Sequence, residues 1–187
     1  MIGFAFCGSF CTMGAAYSQM LELLKTGYEI QPIMSENAYT VDTRFHKAQE
    51  FRERVESVSG RKIIHTVVDA EPLGPATPLD ALIIAPCTGN TLAKIAGGIT
   101  DGAVTMAAKA HLRRDRPLLF ALATNDALSQ NLQNIAKLIS RRSVYAVPMK
   151  QDDPIGKPHS LVARMELIPQ CLGEALVGVQ RRPLFLE

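Results

Sequence analysis

No strong charge of either sign marks this sequence: twenty Lys and Arg stand against eighteen Asp and Glu, a net charge of +2 over 187 residues. That is too little to build the cationic surface a phosphate backbone needs, so nucleic acid is not the expected partner. No apolar run approaches the ~20 residues required to cross a bilayer, which excludes a spanning helix. The four cysteines, Cys7, Cys11, Cys87 and Cys171, follow no pairing framework. A chain of this size does not depend on disulfides for its core, and a reducing cytoplasm is the expected compartment. No charged side chain precedes Glu22, but that stretch lacks the basic start of a secretory signal and is broken by Gly3, Gly8, Ser9, Thr12 and Gly14. It reads as buried chain rather than as an export signal. Internal repeats and low-complexity tracts are absent.

What is present is ordinary globular composition, 47% hydrophobic and 20% charged, with a mean hydropathy of +0.07. The length suits one domain spanning residues 1–187. Short apolar runs alternate with longer helical patterns, the signature of βαβ units. The fold class expected is an α/β three-layer α/β/α sandwich around a mainly parallel six-stranded sheet. Its strands are read at Ile2–Cys7, Tyr28–Met34, Ile63–Val68, Ala81–Ala85, Leu118–Ala123 and Val144–Val147. Helices are expected over Ala15–Thr26, Thr43–Ser57, Thr91–Ala96, Leu128–Ser140 and Leu161–Val179, the last interrupted at Pro169, with Asp101 capping another that runs to Leu112. Cys7–Gly14 is read as a turn, and Ala70–Pro78 and Pro148–His159 as loops. The arginine pairs at 113–114, 141–142 and 181–182 each follow a predicted helix end. A cation there is stabilised by the terminal carbonyls, by about 0.3 to 1 kcal/mol when exposed, which explains the pairs more simply than a binding patch does.

In open parallel sheets ligands sit beyond the carboxyl ends of the strands. Four clusters follow strands here: Cys7-Gly8-Ser9-Phe10-Cys11-Thr12-Met13-Gly14, Ser35-Glu36-Asn37, Pro86-Cys87-Thr88-Gly89-Asn90-Thr91, and Thr124-Asn125-Asp126. Glycine lets the backbone approach an anion, free amides at a helix start donate to its oxygens, and short hydroxyls add donors without bulk. Each cluster alone is equally explained by turn and cap chemistry; four at one sheet edge point to an anionic small molecule. Gly8 and Gly14 do not make G-x-G-x-x-G and nothing matches the P-loop, which leaves a mononucleotide or flavin phosphate.

The segment Ala85-Pro86-Cys87-Thr88-Gly89-Asn90-Thr91-Leu92-Ala93-Lys94-Ile95-Ala96-Gly97-Gly98 resembles the Pro-Ala-Ser-Ala-Asn-Thr signature of the flavin-containing cysteine decarboxylase family. Pro86, Asn90 and Thr91 match by position; Cys87, Thr88 and Gly89 depart from it. The Gly8-Ser9 turn looks like that family's first phosphate-contacting loop, Ser35 falls where its second strand offers a hydroxyl, and Asn125 resembles the Asn of its Pro-x-Met-Asn motif, here without Pro or Met. A resemblance over nearly the whole chain is to the family of dipicolinate synthase B subunits. It is carried by Ala70-Glu71-Pro72-Leu73-Gly74-Pro75, Thr124-Asn125-Asp126-Ala127-Leu128, and Gln151-Asp152-Asp153-Pro154 with Lys157-Pro158.

These resemblances imply a Rossmann-like flavoprotein fold, assembled as a trimer or a multiple of trimers. They imply a sporulation-linked oxidoreductase component that helps oxidise a dihydrodipicolinate-type precursor to pyridine-2,6-dicarboxylate. The separate A subunit of the synthase, resembling NAD(P)-dependent dehydrogenases, would act with it. They place FMN on Gly8, Ser9, Phe10, Ser35, Thr88, Gly89, Asn90 and Thr91, with Asn125 at the ring or substrate. A dicarboxylate favours cations, and Lys150, Lys157 and His159 in one polar loop are candidate substrate clamps. Two other classes stay open: a flavin-dependent cysteine decarboxylase, and a non-catalytic structural partner of the dehydrogenase-like A subunit.

Other residues carry less. His65 is a lone histidine before a proline-rich insertion and receives no catalytic role. Cys171, in a predicted helix, reads as a small apolar group, which disfavours decarboxylase chemistry. Cys7 and Cys11 lack the further ligands a zinc site needs. No G-x-S-x-G occurs for a hydrolase, and Asp152 and Asp153 before Pro154 read as turn formers.

Overall fold

The computed structural model describes residues 1–187. Apolar runs without polar interruption make its central strands: β1 (Ile2–Phe6), β3 (Ala81–Cys87) and most of β4 (Leu118–Thr124) are buried along their length, as strands covered on both faces must be. With β2 (Ile30–Met34) and β5 (Val144–Ala146) they pair in parallel in the order β2-β1-β3-β4-β5. Two short strands, β6 (Met149–Lys150) and β7 (Leu161–Ala163), add antiparallel pairing beyond the end of β4 and bring the sheet to seven strands.

The helices are α1 (Phe10–Lys25), α2 (Glu36–Thr40), α3 (Ala48–Ser59), α4 (Val67–Ala70), α5 (Gly89–Gly97), α6 (Ala103–Leu112), α7 (Leu132–Ile139) and α8 (Ile168–Leu176). α1, α3 and α8 make one layer and α5, α6 and α7 the other. Phe4, Phe6, Met13, Met20, Ile33 and Phe120 are fully buried between them, each such side chain contributing about 1.5 to 3 kcal/mol by leaving water. Phe6 meets Phe51 of α3 edge-on at 5.4 Å between ring centres, which ties the outer helix to the first strand.

The departures from the sequence expectation have local causes. Ile63–Val68 is not a strand: only Ile64 bridges to Ile33, and the chain then turns into α4. The turn after β1 is short, so α1 begins at Phe10 rather than Ala15. α3 begins at Ala48 rather than Thr43, because the Thr43 hydroxyl takes the amide of Phe45 and Asp42 takes that of Ala48. Gly102, not Asp101, precedes α6, since the Asp101 carboxylate is held by Lys94. α7 starts at Leu132 because Asp126 draws the preceding residues into a turn through Ser129 and Asn131. Leu161–Ala163 joins the sheet, and Pro169 lies in the first turn of α8, where its missing N–H costs nothing. It starts that helix rather than interrupting it. The sheet therefore gains β6 and β7 and loses the third expected strand, seven strands against six.

Candidate functional site

The βα turns after β1, β2 and β3 open onto one cavity of about 380 Å³, walled by Gly8, Ser35, Thr88 and Asn90 and, opposite them, by the start of α6 from Gly102 to Thr105. Each turn is fixed by its own short side chains. The Ser35 amide donates to the carbonyl of Phe6 at 2.9 Å, tying the end of β2 to the end of β1, and the Ser35 hydroxyl accepts from the amide of Ala38 as cap of α2. Thr88 caps α5: its Oγ1 accepts from the Thr91 amide at 3.2 Å and donates to Thr91 Oγ1, which in turn donates to Cys7 Sγ at 3.4 Å.

Close approach favours glycine at Gly8 and requires it at Gly89. A Cβ on Gly8 would stand 3.3 Å from Cβ of Asn37. A Cβ on Gly89 would meet Asn131 Nδ2 and Thr124 Oγ1 at 2.6 Å and Asp126 Oδ1 at 2.8 Å. The last three belong to a network in which Thr124 and Asn131 both donate to the Asp126 carboxylate, at 2.6 and 2.9 Å. The cluster after β4 thus supports the start of α5 from behind.

Three helix starts, those of α2, α5 and α6, face the cavity. Their first-turn amides and aligned dipoles favour an anion there. Among side chains the balance is different. Lys94 is the one basic residue in the lining, and it is paired with Asp101 at 2.8 Å; the hydrogen bond from Lys94 holds the Asp101 carboxyl below the usual range. Glu36 is exposed at the rim. Beneath the floor, burial pushes the Cys7 thiol up to about 11 and Cys87 well above its ordinary value, so both stay protonated.

Of the residues predicted for the site, Gly8, Ser35, Thr88, Asn90 and Thr91 line the cavity together. Ser9, Phe10 and Gly89 shape it without lining it: Ser9 precedes α1 and accepts from the Thr12 hydroxyl, Phe10 packs beside Gly8 and toward His46, and Gly89 is buried. Asn125 is exposed and outside the lining. Lys157 and His159 lie on the exposed loop after β6, which is tied to the turn after β4 by the Leu128 amide donating to the His159 carbonyl. Lys157 pairs with Asp152 at 3.0 Å, and that contact raises its affinity for its proton. Lys150 belongs to β6.

His65 stacks on Tyr39 at 3.8 Å between ring centres, with the Arg52 guanidinium over the same ring, a packing role. Sequence reading missed the wall from Asp101 to Thr105, together with Lys94. The only sequence sign of it was the Gly97-Gly98 stop followed at once by a new helix start.

A polar, glycine-edged cavity ringed by helix starts suits a phosphate-bearing ligand. The model of the family described as Flavoprotein matches residues 1–169. The B subunit of dipicolinate synthase from Bacillus subtilis is 42% identical over 186 residues, covering 100% of this chain and 93% of that protein. The crystal structure of the dipicolinate synthase B subunit from Bacillus halodurans C superimposes with a TM-score of 0.91 at 40% identity, covering 100% of this chain and 95% of the other. The FMN-dependent cysteine decarboxylase SpaF shares the fold at a TM-score of 0.69 and 24% identity, over 93% of this chain and 95% of its own. The match over residues 1–169 takes in every strand and every residue of the cavity wall, and the chain belongs to the Flavoprotein family.

Proposed function

We propose that this chain is the flavoprotein-type component of a dipicolinate synthase, a single-domain cytoplasmic protein that forms homo-oligomers built on trimers. In this reading it works with the synthase's A subunit, which carries the NAD(P) site. Its role is the oxidation of a dihydrodipicolinate-type precursor to pyridine-2,6-dicarboxylate during sporulation. The full-length similarity to a dipicolinate synthase B subunit supports the assignment. The observation that carries the cofactor reading is the meeting of Gly8, Ser35, Thr88 and Asn90 with three helix starts around one polar cavity.

In this proposal Gly8, Ser35, Thr88 and Asn90 hold the phosphate and ribityl chain of FMN. Ser9, Phe10, Gly89 and Thr91 keep those turns in shape, and Asn125, exposed outside the cavity lining, would meet only a ring or substrate that projects beyond the cavity. Bound FMN would supply a two-electron acceptor for the hydride lost on aromatisation. The protein's own share is to present amides and hydroxyls to the anion and to limit water around it. Lys157 and His159 are the candidate partners of the substrate carboxylates, Lys157 exchanging Asp152 for the ligand.

Decarboxylation is the weaker assignment: Cys171 is buried in α8, its thiol pushed up to about 12 by burial. A second reading, a structural partner of the dehydrogenase-like component without flavin, is favoured by one observation, that the only cation of the lining is already paired. The visible spectrum of the purified protein separates the two. Yellow protein, or uptake of added FMN with turnover once the dehydrogenase-like partner is present, supports the cofactor reading. Colourless protein that takes up no FMN yet co-purifies with that partner supports the structural one.

A further inference from the structure

The wall formed by α6 has a second side. Away from Ser35 and Asn90 lies a separate cavity of about 240 Å³ between α5, α6 and the chain that follows α7. Thr105 lines both cavities. α6 turns Thr105, Lys109 and Leu112 toward this second space, the spacing of one helix face, and Arg113 follows at the helix end. Ile95 and Ile99 supply an apolar floor, and Arg141 reaches it from beyond α7. Ile99 is half exposed there, at 50%.

No carboxylate lines this cavity, whereas Glu36 and Asp101 line the one beside Ser35 and Asn90. Lys109, Arg113 and Arg141 are exposed and, like most Lys and Arg of the chain, take part in no ion pair, so all three are free to meet a ligand. The ends of α6 and α7 carry about half a negative charge each. That balances roughly one of the three cations, and it gives no reason for an apolar floor between them.

We propose that this cavity is a binding site for a small carboxylate with an apolar body, of the size of a single-ring dicarboxylate. Guanidinium forks accept a carboxylate edge-on through two parallel hydrogen bonds, and Arg113 and Arg141 offer two of them, with Lys109 as a further point charge. Ile95, Ile99 and Leu112 cover the hydrocarbon part. A volume of about 240 Å³ lies below the 300 to 1,000 Å³ usual for drug-sized ligands, which fits one ring and not a nucleotide. The site is distinct from the flavin cavity and does not rest on that reading.

The test is calorimetric titration of the full-length protein with pyridine-2,6-dicarboxylate and with benzene-1,3-dicarboxylate, alongside methyl NMR of Ile95 and Ile99. Saturable binding of both acids is expected, with shifts at the Ile99 methyls and none from uncharged pyridine. Arg113→Ala should weaken binding by about tenfold and the Arg113→Ala/Arg141→Ala pair by about a hundredfold. The Arg→Lys versions, which keep the charge and lose the fork, should fall between. Absence of saturation with the wild-type protein overturns the proposal. So does binding that persists within twofold in the double variant, which would put the acid elsewhere on the molecule. Neither measurement needs FMN or the dehydrogenase-like partner, so its failure and a failure of flavin binding are read separately.

Discussion

Lys94 Nζ stands 2.8 Å from Asp101 Oδ2 and so joins the last turns of α5 to the residue just before the cap of α6 across the cavity wall. The pair takes the one basic side chain of the lining out of play. Whatever attraction the cavity has for an anion then comes from backbone amides and helix dipoles rather than from side-chain charge. Removing the competing carboxylate should strengthen it: Asp101→Asn is expected to tighten FMN and inorganic phosphate by about two- to fivefold, the scale of an exposed ion pair. Lys94→Met should loosen them. Flavin fluorescence titration measures both, and an Asp101→Asn protein that binds more weakly would refute the account.

Gly89→Ala tests the support behind α5. The added methyl would meet Thr124, Asp126 and Asn131 at under 3 Å, and those atoms are held by mutual hydrogen bonds rather than free to swing away. Overpacking of this kind costs about 1 to 3 kcal/mol. A matching fall in the urea midpoint is expected, together with weaker FMN binding, because the start of α5 must shift.

Stability should fall with pH below neutrality through His111. Its side chain is 1% exposed, and burial holds its pKa below the ordinary 6.5, outweighing the contact of Nε2 with the Pro117 carbonyl at 2.8 Å. The folded protein therefore keeps this imidazole neutral while the unfolded chain takes up a proton below pH 6.5. The stabilisation is complete above that value and is lost as pH falls toward the folded pKa. His46, also lowered by burial, adds a slope of the same sign. Urea unfolding from about pH 7 to about pH 5 should show the decline, and His111→Gln, which keeps a donor for Pro117, should flatten it.

The thiols should divide by burial. Cys11 is exposed, while Cys7, Cys87 and Cys171 are buried, and their pKa values are pushed up to about 11, well above 9.0 and about 12 respectively. Since the thiolate is the reactive form, a thiol reagent should modify one cysteine in the native protein and four after denaturation. Rapid native modification of Cys7 would show that the cavity floor opens.

Much of the sheet was readable because parallel strands covered on both faces need unbroken apolar runs, and Ile2–Phe6, Ala81–Cys87 and Leu118–Thr124 are such runs. β7 was not readable. Leu-Val-Ala in Leu161–Ala163 suits a helix face or a strand equally well over three residues, and only the free edge of β4 beside it decides. Ile63–Val68 misled for the converse reason: its apolar residues are needed, but only Ile64 finds a strand partner.

At the site, the composition of the βα turns fixed that small, donor-rich residues would stand at the carboxyl edge of the sheet, because parallel strands present all such turns on one side. Which of them share a cavity was a matter of packing. The crossing of α6 opposite Ser35 and Asn90 made Gly102–Thr105 a wall and set Lys94 against Asp101, while the Thr124-Asn125-Asp126 turn went behind Gly89. Sequence determines what a turn can donate; how helices separated by many residues come to face one another depends on how their buried faces fill the space over the sheet, and only the folded chain settles that.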